Sequence, residues 1–462
     1  MKGPTPDSFR ANAEHALQDA TLQHALGRAQ SGFVAKRAHA IAMVDDFEQL
    51  KQRAQAAKSR ALANLAPLLE QFEASVVASG GQVHWASTTG ELNQQVIDIC
   101  NGVGAHRIIK GKSMIGEEAG LNAAMEHAGF ELVESDLGEY IIQLAQEPPS
   151  HIIAPAIHKT RQQVAELFKQ FHELGDRGLT QISDLVNEAR QVLRSAFLTA
   201  DVGITGANLL IAENGSICIV TNEGNGDLSA SLPAVHIVVA SIEKVVATMD
   251  DASDILEVLA RSATGQHMSA YTSFFNGPKR EADAGGPKQF HIVLLDNGRS
   301  DLLGGPFESI LSCIKCGACL NHCPVYTNVG GHAYGWVYPG PMGSVLTPLL
   351  QGLKATTPLP NASTFCGRCE AVCPMGIPLP QMLRTLREQQ HDMALDNLPW
   401  RAGLGFYSWL SLHPRLFNRF ARWIRMGLKI TPRWLWPRHR QAVQPQGTTT
   451  FLAQWQHRKT KT

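Results

Sequence analysis

The sequence predicts an α/β domain with a parallel-rich sheet, followed by a small, cysteine-rich helical domain. Between residues 80 and 300, short apolar runs alternate with helical stretches, as expected of βαβ units. Seven of the nine cysteines lie between Cys313 and Cys373, whereas Cys100 and Cys218 stand apart. The 462 residues are also too many for one ordinary core, because domains average about 150 residues.

The overall composition is that of a globular chain. Apolar residues make up 44% of it, charged residues make up 18%, and the formal net charge is zero. This balance excludes a disordered chain and does not favour nucleic-acid binding. The charge is unevenly spread: residues 397–462 contain 12 Lys or Arg and no Asp or Glu, which leaves 29 basic and 41 acidic residues before them. Any strongly basic surface therefore belongs to the tail.

The N-terminal residues predict a cytoplasmic protein. They lead into a polar helical stretch with neither an apolar signal segment nor a small-residue cleavage site. No run reaches about 18 consecutive apolar residues, so a spanning helix is not expected, while a helix on a membrane surface is compatible with the sequence. The nine cysteines of such a chain are expected to be metal ligands or buried thiols rather than disulfides.

The N-terminal segment is predicted to be helical and is assigned to residues 1–66. Apolar residues recur at three-residue steps from Ile41 to Leu50, within a helix predicted over about residues 33–79. Pro67 is expected to break or restart this helix.

The α/β domain is assigned to residues 67–300. A hairpin is predicted around Asn214-Gly215, because Asn-Gly between two apolar runs favours a tight turn. The stretch 276–287 is rich in Gly and Pro and is expected to be a loop. Strands are predicted at residues 83–86, 107–110, 140–144, 207–212, 216–220, 236–240 and 290–295, and helices at 92–100, 117–127 and 242–249.

The first cysteine run has the spacing C-x2-C-x2-C-x3-C-P and extends from Cys313 to Pro324. In ferredoxins this spacing wraps three thiolates around one corner of an iron–sulfur cube and directs the fourth to another cluster. The small residues Gly317 and Ala318 let the backbone approach the sulfides. Zinc sites instead favour two separated C-x2-C pairs, so the run indicates iron and sulfur rather than zinc.

The second run has one cysteine fewer, because Ser363 stands where a ferredoxin would place the first ligand. The last cysteine of each run is expected to cross to the other cluster, as in two-cluster ferredoxins. The second cluster is then one thiolate short: it is a 3Fe-4S cluster, a 4Fe-4S cluster with Ser363, solvent or a substrate oxygen as ligand, or a site completed by a partner chain. The predicted ligands are Cys313, Cys316, Cys319 and Cys373 for the first 4Fe-4S cluster and Cys323, Cys366 and Cys369 for the second cluster.

The segment between the two runs favours an α-helical two-cluster ferredoxin domain, assigned to residues 301–395. Cys323 and Cys366 are separated by 42 residues, more than in compact bacterial ferredoxins. A helix is predicted within this segment, at residues 344–353.

Residues 107–380 resemble the lactate-utilisation protein B family, and both cysteine runs agree with it, including the missing eighth ligand. The resemblance implies that the α/β part is a lactate-utilisation (LUD) domain, with a fold related to ribose-phosphate isomerases and CoA transferases. It further implies an iron–sulfur electron-transfer subunit of a complex that oxidises L-lactate to pyruvate and allows growth on lactate. Its implied companions are a cysteine-rich subunit and a second LUD-domain subunit. The shared motifs are KSM (112–114), EE (117–118), DLGEYIIQ (136–143), PPSHIIAPAIH (148–158), GITGAN (203–208), TNEGNG (221–226), RSATGQ (261–266) and GGHAYG (330–335).

Two other functions are alternatives. The turn Glu213-Asn214-Gly215 is similar to the one that holds the catalytic glutamate of some CoA transferases, so acyl transfer with Glu213 as nucleophile is one of them. A docking protein whose clusters sense redox state is the other. The sequence contains no nicotinamide, flavin or P-loop motif, and it identifies no catalytic residue for lactate oxidation.

Four further polar residues could belong to a functional site or could have only a structural role. His151 and His158 lie seven residues apart around Pro155, and without a carboxylate at metal-ligand spacing they are interpreted as polar pocket or packing residues. Glu117 and Glu118 stand at the start of a predicted helix, where they could favour its positive end or belong to a site.

The tail, residues 396–462, combines tryptophan with basic residues, and an amphipathic helix is predicted over about residues 416–428. Such helices often lie on anionic membranes, which would give a peripheral membrane contact. Trp and Arg are equally favoured anchors of partner interfaces, whereas nucleic acid is not an expected partner. The residues concerned are Trp400, Trp409, Trp423, Trp434, Trp436, Arg415, Arg419, Arg422, Arg425, Lys429 and Arg433.

Overall fold

The computed structural model describes residues 5–395, 398–430, 455 and 458. The described residues up to Gln390 form one compact unit, and those from His391 onwards form another. The helices are α1 (Phe9–Gln18), α2 (Ala20–Ala42), α3 (Phe47–Ala63), α4 (Leu65–Ala78), α5 (Thr89–Gly102), α6 (Met114–Ala119), α7 (Leu121–His127), α8 (Leu137–Ala145), α9 (Arg161–Phe171), α10 (Ile182–Thr199), α11 (Asn225–Ser231), α12 (Met249–Ala263), α13 (Ala318–Asn321), α14 (Tyr326–Val329), α15 (Gly340–Gln351), α16 (Arg368–Ala371), α17 (Leu379–Asp392), α18 (Leu398–Ser411) and α19 (Pro414–Ile430). The strands are β1 (Gln82–Ala86), β2 (Arg107–Lys110), β3 (Glu131–Glu134), β4 (Val202–Gly206), β5 (Leu209–Ile211), β6 (Ser216–Thr221), β7 (Val235–Ser241), β8 (Val245–Val246), β9 (Tyr271–Phe275) and β10 (Gln289–Leu295).

The larger sheet has the strand order β1–β10–β7–β4–β2–β3, and its neighbouring strands are parallel. Strand β7 is buried along its whole length, as expected where helices cover both faces of a parallel sheet. Leu92 and Val96 of α5 pack on one face, and Phe72 and Val76 of α4 pack on the other. The predicted parallel-rich α/β domain is confirmed.

A smaller sheet, in the order β8–β5–β6–β9, contains the predicted hairpin. Strands β5 and β6 are antiparallel and are joined by the Asn214-Gly215 turn, which confirms that prediction. Gly215 has a φ of 71°, and a Cβ there would come within 2.6 Å of the Val76 backbone nitrogen, so the turn requires glycine.

The strand predicted at residues 140–144 is wrong, because these residues belong to α8. The Asp136 carboxylate accepts hydrogen bonds from the backbone N–H groups of Gly138 and Glu139 and so caps the start of a helix. The apolar run of Tyr140 to Ile142 is then buried on one helix. A short apolar run does not distinguish a strand from a buried helix.

The helix predicted at residues 242–249 is also wrong. A 3-10 turn (Ile242–Lys244) leads into β8, which pairs with β5 and so completes the edge of the smaller sheet. Helix α12 begins only at Met249, because the Thr248 hydroxyl caps it by accepting a hydrogen bond from the Asp251 N–H. The sequence also gave no sign of β9, which lies just before the predicted loop.

The N-terminal segment is helical as predicted but is interrupted at other places. Helix α3 begins after Asp46, whose carboxylate accepts from the Gln49 N–H, and α4 begins after Asn64. Pro67 does not break the helix, because it lies in the first turn of α4, where its missing N–H would have no partner within the helix.

The cysteine-rich segment is built from short helices and packs on the rest of the unit. Helix α15 occupies most of the region predicted to be helical between the two cysteine runs. Phe9 of α1, Phe47 of α3 and Ile255 of α12 belong to the same apolar core as Tyr334 and Leu383. The cysteine runs are therefore held against the N-terminal helices and α12, and the domain boundaries drawn from the sequence stay predictions.

Helices α18 and α19 form a hairpin held by aromatic contacts. The ring centroids of Phe406 and Phe420 lie 5.6 Å apart. The helix predicted over residues 416–428 is confirmed within α19, and Trp409 and Trp423 are exposed. No helix among the described residues is long and apolar enough to cross a bilayer. Trp434, Trp436 and Arg433 lie outside the described residues.

Candidate iron–sulfur site and adjoining cavity

The structure brings four of the predicted ligands together. Cys313, Cys316, Cys319 and Cys373 line one small cavity, although Cys373 comes from the second run. Gly317 has a φ of 73° and turns the chain into α13, which carries Cys319. We call these four residues the first cysteine group.

The other three predicted ligands form the second cysteine group. Burial, together with the neighbouring Cys323 and Cys366, raises the pKa of the Cys369 thiol to about 12. Cys366 itself is exposed, and hydrogen bonds to its sulfur, first from the Arg368 backbone, lower its pKa. The second group therefore reaches the protein surface at Cys366.

The two groups are neighbours. Burial raises the pKa of the Cys319 thiol well above its usual range, and Cys369 of the second group is among the charges that raise it further. Burial likewise raises the pKa of Cys316 to about 12. Thiols in such surroundings ionise when they coordinate a metal cation, and the iron of a cluster would supply that charge.

The spacing of the thiols does not fit a single zinc ion. In the described part of the chain, three ligand atoms of His, Cys, Asp or Glu lie within 4.8 Å of one another only at Glu147, His158 and His332. Zinc–sulfur bonds of about 2.3 Å would bring the sulfurs to about 3.8 Å from one another. The seven thiols are spread more widely than this, which fits a larger metal–sulfur cluster in each group.

A guanidinium lies beside the first cysteine group. Arg37 of α2 donates a hydrogen bond to the Val372 carbonyl at 2.9 Å and is an electrostatic neighbour of Cys316 and Cys373. Its Nε has no hydrogen-bond partner in the part of the chain that the structure describes. Sequence reasoning missed Arg37, which lies more than 270 residues from the first cysteine of the group.

Ser363, which stands where a cysteine ligand is missing, makes hydrogen bonds within its own segment and to Arg387. Its hydroxyl accepts a hydrogen bond from the Phe365 backbone N–H at 3.1 Å, and its carbonyl accepts from Arg387. A serine ligates iron only as an alkoxide, which is costly to form near neutral pH. The structure thus shows the Ser363 oxygen bonded within its own turn, and the missing eighth ligand stays a prediction.

Replacing Ser363 by Cys should supply the eighth thiolate. We expect Ser363→Cys to keep its iron on exposure to air, while the parent loses iron from the second cluster and gives a 3Fe-4S signal by electron paramagnetic resonance (EPR). Ser195→Cys is the control, because it adds an exposed thiol on α10, outside both cysteine groups. Equal iron loss in Ser363→Cys and the parent would contradict the missing-ligand explanation.

A larger cavity of about 270 Å³ adjoins the first cysteine group, and Cys313 is part of its wall. It lies at the carboxyl edge of the larger sheet, where Lys112, Asp136, Asn208 and Lys244 follow β2, β3, β4 and β7. We call it the lysine cavity, because Lys58, Lys112, Lys244 and Lys315 line it. The sequence did not predict this cavity, since the lysines are far apart along the chain.

The two histidines of the shared PPSHIIAPAIH motif make specific hydrogen bonds. His151 is buried; its Nδ1 accepts from the Ile153 and Ala154 N–H groups, and its Nε2 lies 3.0 Å from the Asn321 Oδ1 of α13. His158 lies 2.7 Å from a Glu147 carboxylate oxygen, and Lys159 binds the other oxygen of the same carboxylate. Glu147 is a partner that the sequence analysis missed.

Hydrogen bonds hold the Glu147 carboxylate in its ionised form. The bond to His158, followed by that to Lys159, lowers the pKa of Glu147 to about 2 despite its partial burial. His332 lies close by, and its Nε2–H donates a hydrogen bond to the Pro148 carbonyl oxygen at 2.8 Å. Lys159 already binds one oxygen of the Glu147 carboxylate. We therefore interpret Glu147, His158 and His332 as a hydrogen-bonded contact between the α/β domain and the cysteine-rich segment, and not as a metal site.

Glu117 and Glu118 have different buried partners. Glu117 accepts from Lys110 at 3.1 Å. Both oxygens of Glu118 accept from the Arg299 guanidinium, at 2.9 and 2.6 Å, and the Tyr338 hydroxyl donates to the same carboxylate at 2.7 Å. Glu118 therefore ties the α/β domain to the cysteine-rich segment.

Glu213 has a structural contact and is not part of the wall of the lysine cavity. Its carboxylate accepts a hydrogen bond at 2.7 Å from the backbone N–H of Met249, the first residue of α12. Such a contact satisfies one of the unpaired N–H groups at a helix start.

Replacing Glu213 should therefore affect stability rather than activity. We expect Glu213→Ala to lower the free energy of unfolding by about 1 kcal/mol, as for the loss of a helix cap. The control is Glu166→Ala, which removes only an exposed pair with Lys169 and should cost less than about 0.5 kcal/mol. Urea denaturation measures both effects. An acyl-CoA transferase activity that disappears in Glu213→Ala would instead support the transferase alternative.

Two family models match the chain, one for the LUD domain at residues 69–295 and one for a 4Fe-4S dicluster domain at residues 309–377. Both agree with the predicted fold class, and the second shows that the cysteine-rich segment is an iron–sulfur domain. Among solved structures, a DUF162 family protein from Deinococcus radiodurans covers 50% of this chain and 98% of its own, at 15% identity and a TM-score of 0.29. At this TM-score, the similarity supports no conclusion about the function of this chain.

Curated relatives are similar over most of the chain. A lactate utilization protein B from Shouchella clausii is 39% identical over 448 residues, which is 95% of this chain and 91% of the relative. Another from Lysinibacillus sphaericus is 43% identical and covers 82% of this chain and 80% of its own. An uncharacterized electron transport protein, YkgF, from Escherichia coli is 36% identical and covers 89% of this chain and 86% of its own.

Proposed function

Because the chain belongs to the lactate utilization protein B family, we propose that it is the iron–sulfur electron-transfer subunit of a complex that oxidises L-lactate to pyruvate. A role of this iron–sulfur protein in lactate utilisation follows from the family. The oxidation itself and the position of this chain in it are the proposal.

The arrangement of the two cysteine groups is the observation that supports electron transfer. The first group is mostly buried, the second reaches the surface at Cys366, and Cys319 and Cys369 bring the groups next to each other. When bound, each cluster accepts and returns one electron. The chain's own residues hold the groups adjacent and expose the second one at Cys366, where a partner could approach it.

The proposed ligands follow the crossed arrangement. Cys313, Cys316, Cys319 and Cys373 would hold a 4Fe-4S cluster, and the common cavity that they line supports this. The second cysteine group would hold a cluster with three protein thiolates, of the 3Fe-4S type or of the 4Fe-4S type with a ligand that is not cysteine. Arg37 would offset part of the negative charge of the first cluster.

The partners proposed are the two companion subunits, one rich in cysteine and one with a second LUD domain. Oxidation of lactate removes two electrons and two protons, so the two clusters of this chain could together hold one pair of electrons. A partner that exchanges these electrons would dock where Cys366 is exposed, beside Phe365 and Arg368.

The experiment that tests this function is reduction of the clusters by substrate. We expect L-lactate to reduce the clusters of this chain in the anaerobically purified complex, as followed by EPR. Clusters that dithionite reduces but lactate leaves oxidised in the complete complex would contradict electron transfer from lactate. That result would favour the docking protein that senses redox state.

The tail is the proposed site of a membrane or partner contact. On anionic vesicles, each Lys or Arg near the surface contributes about 1 kcal/mol, which salt screens. We expect the full chain to bind such vesicles, to bind less at higher salt, and to lose binding when residues 397–462 are deleted. If neither form binds vesicles and the deletion instead breaks co-purification with the companions, the tail is a partner interface and the membrane proposal is wrong.

A further inference from the structure

The lysine cavity has the position and size of a small-molecule site. Ligands of open parallel sheets bind outside the carboxyl ends of the strands, which is where this cavity of about 270 Å³ lies. One side of it is closed by Cys313, Ile314 and Lys315, from the loop of the first cysteine group. A ligand in the cavity would therefore lie directly beside that group.

Among the described residues, the cavity lysines form no ion pair with a carboxylate, although Glu243 is near enough to Lys58 and Lys244 to offset part of the effect of burial, which lowers their pKa values. In the described part of the chain, the lysines that form ion pairs are Lys51, Lys110, Lys159 and Lys169. None of them lines the lysine cavity. The cavity thus contains ammonium groups whose charge is not cancelled by direct contact with a carboxylate.

Three of the ammonium groups are held in place by neutral backbone oxygens. An ammonium has three N–H donors, so each of them keeps two for a ligand. A carbonyl partner fixes the ammonium position without removing its charge, and although burial lowers the pKa of Lys58 and of Lys244 to about 8, both remain mostly protonated at neutral pH. The donors are the Nζ atoms of Lys58, Lys112 and Lys244, and their respective acceptors are the carbonyl oxygens of Glu243, Ile153 and Ala207.

The acidic residues of the wall are already occupied. Asp136 accepts from the first N–H groups of α8, and Glu223 accepts from the Leu137 N–H at 3.3 Å. Glu243 forms an ion pair with Arg299 at 3.1 Å. The backbone bonds hold Asp136 and Glu223 in place without removing their charge, and Glu243 is balanced by Arg299. Four lysines against the other two carboxylates leave the wall with a net positive charge, which favours a ligand of opposite charge.

Neutral polar groups on the wall could bind a second functional group of the ligand. Asn208 uses its carbonyl oxygen to accept from the Val220 N–H, which leaves its NH₂ group. Among the described residues, the buried Thr221 hydroxyl has no hydrogen-bond partner, and the buried Asn225 side chain also lines the wall. Ile153 and Leu259 add apolar surface for a short carbon chain.

We propose that the lysine cavity binds the carboxylate group of a small aliphatic acid, with Lys112 and Lys244 as the main cationic contacts. Charge-assisted hydrogen bonds to the ammonium groups would hold the carboxylate, while the Asn and Thr side chains would bind a hydroxyl or carbonyl oxygen. The choice of L-lactate and pyruvate as probes rests on the proposed function. The binding site itself rests on the cavity.

Equilibrium binding to the anaerobically purified full chain tests this inference. We expect L-lactate or pyruvate to bind the parent by calorimetry, and Lys112→Met and Lys244→Met each to weaken binding by about tenfold or more. The matched control is Lys288→Met, because Lys288 is exposed just before β10, at the opposite edge of the sheet, and it should bind as the parent does. Asn225→Asp introduces a carboxylate into the same wall and should weaken binding even if a lysine variant fails to fold.

Three results would overturn the inference. The first is absence of binding of both acids by the parent, and the second is binding of inorganic phosphate as tight as that of the acids. The third is unchanged binding in the lysine variants with a shifted reduction potential of the first cluster, which would mean that the lysines only balance the cluster charge. Lactate-dependent cluster reduction in the complex without binding to this chain would reject the cavity site and leave the proposed function intact. Binding of the acids to this chain without lactate-dependent cluster reduction in the complex would support the cavity site and reject the proposed function.

Discussion

Replacing Cys373 by Ala should remove the first cluster and about half of the iron, because a thiolate ligand anchors each cluster covalently. Although Cys373 follows Cys366 and Cys369 in sequence, it lines the same small cavity as Cys313, Cys316 and Cys319. The EPR signal that disappears in Cys373→Ala should therefore be the one that disappears in Cys316→Ala. Lactate-dependent electron transfer should fall by at least about tenfold, because the path through the first cluster is broken.

Two comparisons make this prediction specific. Cys218→Ala removes a buried cysteine of β6 that lies outside both groups, and it should keep the iron content and both signals of the parent. Cys366→Ala should remove the other signal. If Cys373→Ala instead removes the signal lost in Cys366→Ala, the ligands do not cross between the two runs.

Replacing Arg299 by Met should be among the most destabilising single changes in the chain. Arg299 is 1% exposed and pairs with two buried carboxylates, Glu118 and Glu243. Burial alone would raise the pKa of Glu243, but Arg299, the largest of the neighbouring charges, helps to hold it at about 2. Removing the guanidinium leaves both buried carboxylates without an ion pair, while Glu118 keeps its hydrogen bond from Tyr338. We expect the free energy of unfolding to fall by about 3–5 kcal/mol.

The matched control is an arginine in an exposed ion pair. Arg107 lies 3.3 Å from Glu131, and both side chains are more than half exposed. Arg107→Met should therefore cost less than about 1 kcal/mol. Urea denaturation of the anaerobically purified proteins compares the two, and equal losses would contradict the role given to the Arg299 pairs.

Strands with strong local signals could be predicted from the sequence. Strands β2, β7 and β10 are compact runs of Ile, Val and Leu, and the β5–β6 hairpin is marked by its Asn-Gly turn. The prediction failed where a local contact decides between a helix and a strand. Asp136 caps α8 through its carboxylate, and the apolar run that follows was therefore misread as a strand.

The candidate site could be predicted only where its residues form a pattern along the chain. The cysteine spacing identified the two groups and suggested that Cys373 crosses between them. Arg37, Glu147 and the lysines of the cavity carry no such pattern, because the topology of the sheet and the packing of α2 and α3 bring them together from distant positions. Residues that act through tertiary proximity alone are not visible in one sequence.

The central claim is that this chain carries electrons through two adjacent iron–sulfur clusters. The most direct test is iron and sulfide analysis of the anaerobically purified full chain, with EPR during stepwise reduction. We predict about seven to eight iron atoms with a similar amount of acid-labile sulfide, and two signals that broaden each other when both clusters are reduced. Zinc without acid-labile sulfide, or iron sufficient for one cluster only, would contradict the claim.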